Sequence, residues 1–332
     1  MQFNSKLMNE LSDVFSPSGR EKNIREYIEK EIKDYVDEIT VDALGNLIAH
    51  KKGAGKKIMF SAHMDQIGLL INDIDEKGFL KFCSVGGISP YKMLDQRVIF
   101  NNGTQGVVCA EKTEDYSKLK LSGMYIDIMV SSKEDAEKYV NIGDMCVSKT
   151  NYYENDGYVM CNALDDRIGC YILIEVLKSG IKSDNDLYFV FSVQEEVGCR
   201  GAKTAGYSIN PDLCISLDVT ASGDALDGIK MAVKLNNGAA IKLRDNSLIV
   251  SEEVKNFLTE LAKENNIKYQ YEVLEFGGTD SGAVHTSRSG VPSGVISIPS
   301  RNIHSGNEIV SKSDVTECIK LTAAIAESKA KA

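Results

Sequence analysis

Two imidazoles and a group of carboxylates stand where apolar runs stop. His63 closes the run Ile58-Met59-Phe60-Ser61-Ala62, Glu195 and Glu196 follow the run from Leu187 to Val193, and Asp218 follows Leu213 to Leu217. His304 lies a few residues past Val295 to Ile298, and Asp165-Asp166 head a run, Ile168 to Leu177, that is apolar nearly all round. In open α/β sheets, sites form at the carboxyl ends of strands, so side chains far apart in sequence can converge there. Imidazoles and carboxylates together suit a borderline divalent ion such as Zn²⁺, Co²⁺ or Mn²⁺. A bound ion of this kind can polarise a carbonyl and lower the pKa of water to about 7, which is hydrolytic chemistry.

Taken singly, each residue has an ordinary reading. His63 with Asp65 reads as a core histidine held by a carboxylate, and His304 as a loop histidine. Asp165-Asp166 reads as a helix start, where carboxylates suit the dipole. Asp218 reads as a turn residue, and Glu195-Glu196 as a solvated pair, although two acids straight after a buried strand strain that reading. Only the shared placement at strand ends points to a site.

The elements that must position these groups follow from periodicity. Two helix signals open the chain, the second with Ser18-Gly19-Arg20-Glu21 in capping-box form ahead of Ile24, Tyr27, Ile28 and Ile32. From about Gly68 to Tyr158 the texture changes to short β-prone runs such as 97–100, 106–109 and 145–147, with one helix-like piece near Lys133 to Tyr139. Strands and helices then alternate again, with Val254, Phe257, Leu258 and Leu261 marking a helix face. The expected fold is α/β: a mixed, largely parallel sheet flanked by helices, interrupted by a small β-barrel-like domain. Residues 1–67 and 159–332 then form the larger domain and 68–158 the insertion, a size split that 332 residues accommodate.

Composition narrows the function. With 38 Lys and Arg against 48 Asp and Glu and no basic run, nucleic acid is not an expected partner. No apolar stretch approaches the roughly 20 residues that span a bilayer, and the opening MQFNSKLMNELSDVF reads as an amphipathic helix rather than a signal peptide, so a cytoplasmic location is expected. The 8 cysteines are irregularly spaced without a CxxC pair and read as reduced core thiols. Cys199, close behind Glu195 and Glu196, is the best alternative for a thiolate ligand or nucleophile, but no spacing supports it.

The chain also resembles a known family, the tetrahedral or glutamyl-type aminopeptidases, which are dinuclear metallopeptidases. The resemblance covers nearly the whole chain and rests on Pro17-Ser18-Gly19, Gly45-Asn46-Leu47, Ala62-His63-Met64-Asp65-Gln66-Ile67-Gly68, Ala163-Leu164-Asp165-Asp166-Arg167 and Gln194-Glu195-Glu196-Val197-Gly198. Leu217-Asp218, Gly277-Gly278-Thr279-Asp280 and Ile303-His304-Ser305 complete it. Carried over position by position, it implies two divalent ions per subunit, Zn or Co with Mn as a third choice. Asp165 would bridge them, His63 and Asp218 would complete one site, and Glu196 and His304 the other. Glu195 would be general base and acid, and Asp65 would fix the ring of His63. The resemblance also implies peptide substrates, dimer contacts through the inserted domain and a dodecamer built from dimers.

The sequence departs from the family pattern at Asn302, where an aromatic is common, and at Gly306-Asn307, where a proline is often found. Both changes bear on side-chain preference more than on catalysis. Asp280 is a candidate contact for the substrate amine or for a ligand, and His285 has no role. Three other functions compete. A dinuclear deacetylase or carboxypeptidase would keep the metals, the latter using a cation among Arg167, Arg200, Arg288 and Arg301. A glycoside hydrolase would pair Glu195 with another carboxylate and need no metal. A binding protein without catalysis would have no use for a base beside the ligand set.

Overall fold

In the computed structural model, which describes residues 2–112, 115–226 and 228–329, the apolar runs become strands. In chain order these are β1 (Glu38–Val41), β2 (Leu47–Lys51), β3 (Lys57–His63), β4 (Gly68–Ile74), β5 (Leu80–Val85), β6 (Arg97–Phe100), β7 (Gln105–Ala110), β8 (Met124–Asp127) and β9 (Met145–Ser148). They continue with β10 (Tyr153–Glu154), β11 (Tyr158–Cys161), β12 (Asp186–Ser192), β13 (Leu213–Ala221), β14 (Ala239–Arg244), β15 (Tyr269–Val273), β16 (Ser293–Arg301) and β17 (Glu308–Ser311). The helices are α1 (Ser5–Asp13), α2 (Lys22–Ile32), α3 (Pro90–Met93), α4 (Lys133–Ala136), α5 (Leu164–Lys178), α6 (Arg200–Ile209), α7 (Glu252–Glu264), α8 (Asp280–His285) and α9 (Lys312–Glu327).

The large sheet runs β1-β2-β12-β3-β13-β16-β17-β11-β10, with β14 on β16 and β15 on β14. Its centre, β12-β3-β13-β16, is parallel. These strands are buried on both faces, which is why they read as unbroken apolar runs. Alternation sorts their side chains between two layers. Phe60, Phe189 and Ile215 join one core with residues of α1, α2, α5 and α9. Met59, Val190 and Cys214 join another with residues of α6 and α8. Helix α5 is enclosed by α1, α2, α9 and the sheet, so it is apolar all round.

Strands β4-β5-β8-β7-β6-β9 close into a barrel with its own core around Leu69, Phe82, Val98, Val108 and Ile126. Closure removes the exposed edges that so many short strands would otherwise present. The chain is back in the large sheet by β10, which pairs with β11, so the last residues of the 68–158 segment belong with that sheet. Strands as short as β10 and β11 look like barrel strands in sequence.

The capping box ahead of α2 does not form. Glu21 is the N-cap residue without a side-chain cap bond. Ser18 Oγ donates instead to Asp65 Oδ2 at 2.6 Å, and Glu21 Oε1 accepts from the N–H groups of Gly19 and Gln194 at 2.6 and 3.2 Å. Both residues are buried and each takes a tertiary partner in place of the reciprocal box, while Ile24, Ile28 and Ile32 pack as their spacing predicts. Among the described residues no helix is long and apolar enough to cross a membrane.

Candidate active site

His63 is the last residue of β3, which pairs in register with β12 up to Ser192, so the loop bearing Glu195 and Glu196 starts beside it. Asp218 lies inside β13 rather than past its end. The strand runs on to Ala221 because it keeps pairing with β16 after its ladder with β3 has stopped at Ser216. His304 sits in the loop between β16 and β17. Asp165 and Asp166 do not begin a regular helix: their φ/ψ values, −79°/103° and −120°/35°, are non-helical, which removes the helix-dipole reading.

These placements bring the expected residues together. His63 Nε2 lies 3.1 Å from Asp165 Oδ1, 3.8 Å from Glu195 Oε2 and 4.0 Å from Asp218 Oδ1. His304 Nε2 lies 3.2 Å from both Asp165 Oδ2 and Glu196 Oε2. The two oxygens of Asp165 thus face two different imidazoles. One donor atom each from His63, Asp165 and Glu196 falls within 4.8 Å of the others, and the same holds for His63, Asp166 and Asp218. Asp166 was read only as a neighbouring acid; its approach to His63 and Asp218 depends on backbone geometry that the sequence does not announce.

The electrostatics call for a cation. Burial pushes Glu195 up to about 8, His63 opposing and Glu196 adding to it. Burial and neighbouring carboxylates hold Asp218 and Asp166 well above the carboxylate range. Asp165 is held below it, since His304 and His63 outweigh its burial. His304 rises to about 12 against its own burial, through Asp165 and Glu196. Glu196 Oε1 and both oxygens of Asp166 are buried with no hydrogen-bond partner. So many acids cannot all ionise side by side, and buried unpartnered oxygens are costly. A divalent ion among imidazole and carboxylate donors relieves both, so the residues fit such a group.

Buried side chains hold this set from behind. The Asp65 carboxylate accepts from the N–H groups of Glu195 and Glu196 at 3.0 and 3.3 Å. Its Oδ1 is 3.5 Å from His63 Nδ1, whereas its own backbone carbonyl is nearer, at 3.2 Å. Asp65 therefore shapes the glutamate loop as much as the ring. Asp280 is buried and accepts from Ser61 Oγ and Ser192 Oγ, each at 2.5 Å, while its Oδ1 has no hydrogen-bond partner. His285 bonds the Val291 carbonyl at the end of α8, outside the cluster.

Glu308 escaped the sequence reading. Its signal was an acid opening the run Ile309-Val310; it is buried, its Oε2 accepts from Asp165 N–H at 2.9 Å, and its Oε1 accepts from His304 N–H at 2.7 Å. The barrel reaches the site as well. A Cβ on Gly86 would come within 3.2 Å of Glu196 Oε2, and one on Gly87 within 3.3 Å of His304 Nδ1.

Cys199 donates to Glu195 Oε1 at 3.1 Å, burial beside that acid pushes its thiol up, and neither of the clustered donor sets includes it. All 8 cysteines are free; Cys83 is exposed, against the expectation of a core thiol. Of the arginines a carboxypeptidase could use, Arg167 is buried on Leu11, Val14, Ser16 and Gln66. Arg301 pairs with Asp224, and Arg288 lies over the Tyr207 ring.

Comparison with known proteins agrees with this geometry. The family described as M42 glutamyl aminopeptidase matches residues 45–321. A protein of Acetivibrio thermocellus, provisionally described as an aminopeptidase, is 51% identical, covering 95% of this chain and 96% of its own. An aminopeptidase structure from the archaeon Desulfurococcus kamchatkensis superposes with a TM-score of 0.94 at 36% identity, covering 97% of this chain and 94% of that one. The TET1 peptidase of Pyrococcus horikoshii, described as able to assemble into a tetrahedron or a large octahedral shell, superposes with a TM-score of 0.86 at 33% identity, over 97% and 98% of the two chains. Sequence, fold and clustered donors agree: the chain belongs to the M42 glutamyl aminopeptidase family.

Proposed function

We propose that the protein is a two-metal aminopeptidase that removes N-terminal residues from short peptides. The observation that carries this reading is Asp165 standing between His63 and His304, one oxygen toward each ring. Asp165 would bridge two divalent ions, Zn²⁺ or Co²⁺ with Mn²⁺ as a third candidate; His63 and Asp218 would complete one site, Glu196 and His304 the other. When bound, the ions supply Lewis acidity toward the scissile carbonyl and toward water.

Glu195 handles the proton. Its carboxylate takes one from the attacking water and returns it to the leaving amine, a task suited to an acid whose affinity for protons has been raised toward neutrality. Cys199 Sγ donates to its Oε1, leaving Oε2, on the His63 side, free for that exchange. Asp65 fixes the backbone from which both glutamates project. The barrel segment at Gly86-Gly87 passes close to Glu196 and His304, so side chains introduced there would crowd both groups.

Arg167 is buried on Leu11, Val14, Ser16 and Gln66 and Arg301 pairs with Asp224, which leaves Arg200, bonded at the surface to Gln194 Oε1 at 3.1 Å, and Arg288 as the cations a carboxypeptidase could use. We take the assembly to be a homo-oligomer, with dimers joined through the barrel segment and a dodecamer as the expected form, working in the cytoplasm.

Stripping the enzyme with chelator should abolish hydrolysis of a short free-amine peptide, and adding back Zn²⁺, Co²⁺ or Mn²⁺ should restore it. A chelator-treated, metal-free enzyme that keeps its peptidase rate would overturn the metal dependence, and one that leaves the peptide intact but cleaves a soluble glucan would replace this reading with the glycoside hydrolase.

A further inference from the structure

Glu308 contacts no imidazole of the cluster, yet it stands at the foot of two loops that build it. It opens β17, whose antiparallel pairing with β11 sets it opposite Cys161. From there the chain passes through residues 162–164 to Asp165, while β16 reaches β17 through the loop that holds His304. Strand pairing alone therefore brings one side chain within reach of both. Its two oxygens take one backbone N–H each, that of Asp165 at 2.9 Å and that of His304 at 2.7 Å.

Both loops need holding. His304 and Asn302 have φ of 59° and 60°, and Ala163, two residues before Asp165, has φ of 56°. Residues with a Cβ adopt that region at an energetic cost, and they stay there only where surrounding bonds over-determine them. A side chain that ends in two oxygens can accept from both loops at once, as Glu308 does. On the barrel side, Lys92 Nζ donates to the carbonyl of Ile303 at 2.5 Å, gripping the same loop one residue earlier.

We propose that Glu308 is a positioning residue: its single carboxylate ties the backbone of Asp165 to that of His304 and so sets the spacing between two ligand-bearing loops. This rests on the two-metal reading above. It predicts that Glu308 governs metal affinity without touching metal, as outer partners of metal ligands do, with effects of about 10–100-fold.

The test is Zn²⁺ titration by calorimetry on chelator-stripped wild type, Glu308→Gln and Glu308→Asp, with circular dichroism to confirm folding. Gln keeps the volume but turns an NH₂ toward one of the two N–H groups; Asp keeps the charge but is too short to reach both. Both variants should bind one Zn²⁺ per chain about 10–100-fold more weakly than wild type. A Gln variant that binds two ions with wild-type affinity overturns the proposal and leaves the two-metal reading intact. Wild type that binds no Zn²⁺ removes that reading, and this proposal with it. Should the variants not fold, amide exchange in metal-free wild type decides: a slow His304 N–H supports the tie, and one exchanging at the rate of an open loop refutes it.

Discussion

Glu195→Gln should lower kcat by about 10²–10⁴-fold, the usual worth of a positioned general base. Metal content and KM should stay close to wild type. The substitution keeps the shape of the side chain and its neighbours, including the Cys199 thiol 3.1 Å from Oε1, and removes only the ability to take up a proton. Because Glu195 lies 3.8 Å from His63 rather than between the two rings, it is the acid of the cluster that can be neutralised without opening the ligand set. Steady-state kinetics with metal analysis on the same preparation separate the two effects, since an interaction made only in the transition state lowers kcat and kcat/KM together. A Gln variant within about threefold of wild type would transfer the proton role to another group.

Asp165→Asn should lose metal as well as activity. Asn keeps the volume but replaces one oxygen with an NH₂, so it cannot face both His63 and His304 as an acceptor, and the negative charge between them is gone. Breaking a buried charge pair at one partner costs about 3–5 kcal/mol, which corresponds to about 10²–10⁴-fold in affinity. We expect at least one ion per chain to be lost, with kcat/KM falling in step, while Glu195→Gln keeps both. Metal analysis after dialysis reads this directly. Two ions retained in the Asn variant would show that Asp165 is not the shared ligand.

Much of this site was legible in the sequence because its residues sit at strand ends. Strands β3, β12, β13 and β16 are buried on both faces and so appear as unbroken apolar runs, and the groups that follow them converge by topology alone. What was missed depends on tertiary contact. Ser18 and Glu21 carry a local capping pattern, yet Ser18 bonds Asp65, 47 residues away, and Glu21 shares its Oε1 between Gly19 and Gln194, 173 residues away, so burial rather than spacing decides their role. Strands β14 and β15 left little trace because buried charges break their pattern: Lys242 pairs with Glu272 at 2.5 Å across the two strands. The approach of Asp166 to His63 and Asp218, and the part played by Glu308, became visible only with the backbone path around Asp165 and the register of β11 on β17. The end of β13 reads too early in the sequence, at Leu217, since the β-branched Val219 and Thr220 carry the strand past Asp218 beside β16.

The central claim is an exopeptidase reaction that begins at a free amine. The most direct measurement is release of the N-terminal residue from matched short peptides, free and N-acetylated, by the metal-loaded enzyme. The account predicts cleavage of the free-amine peptides only, graded by the identity of the first residue. Equal or preferred cleavage of the acetylated set would contradict it and make the protein a dinuclear deacetylase or an enzyme of another specificity.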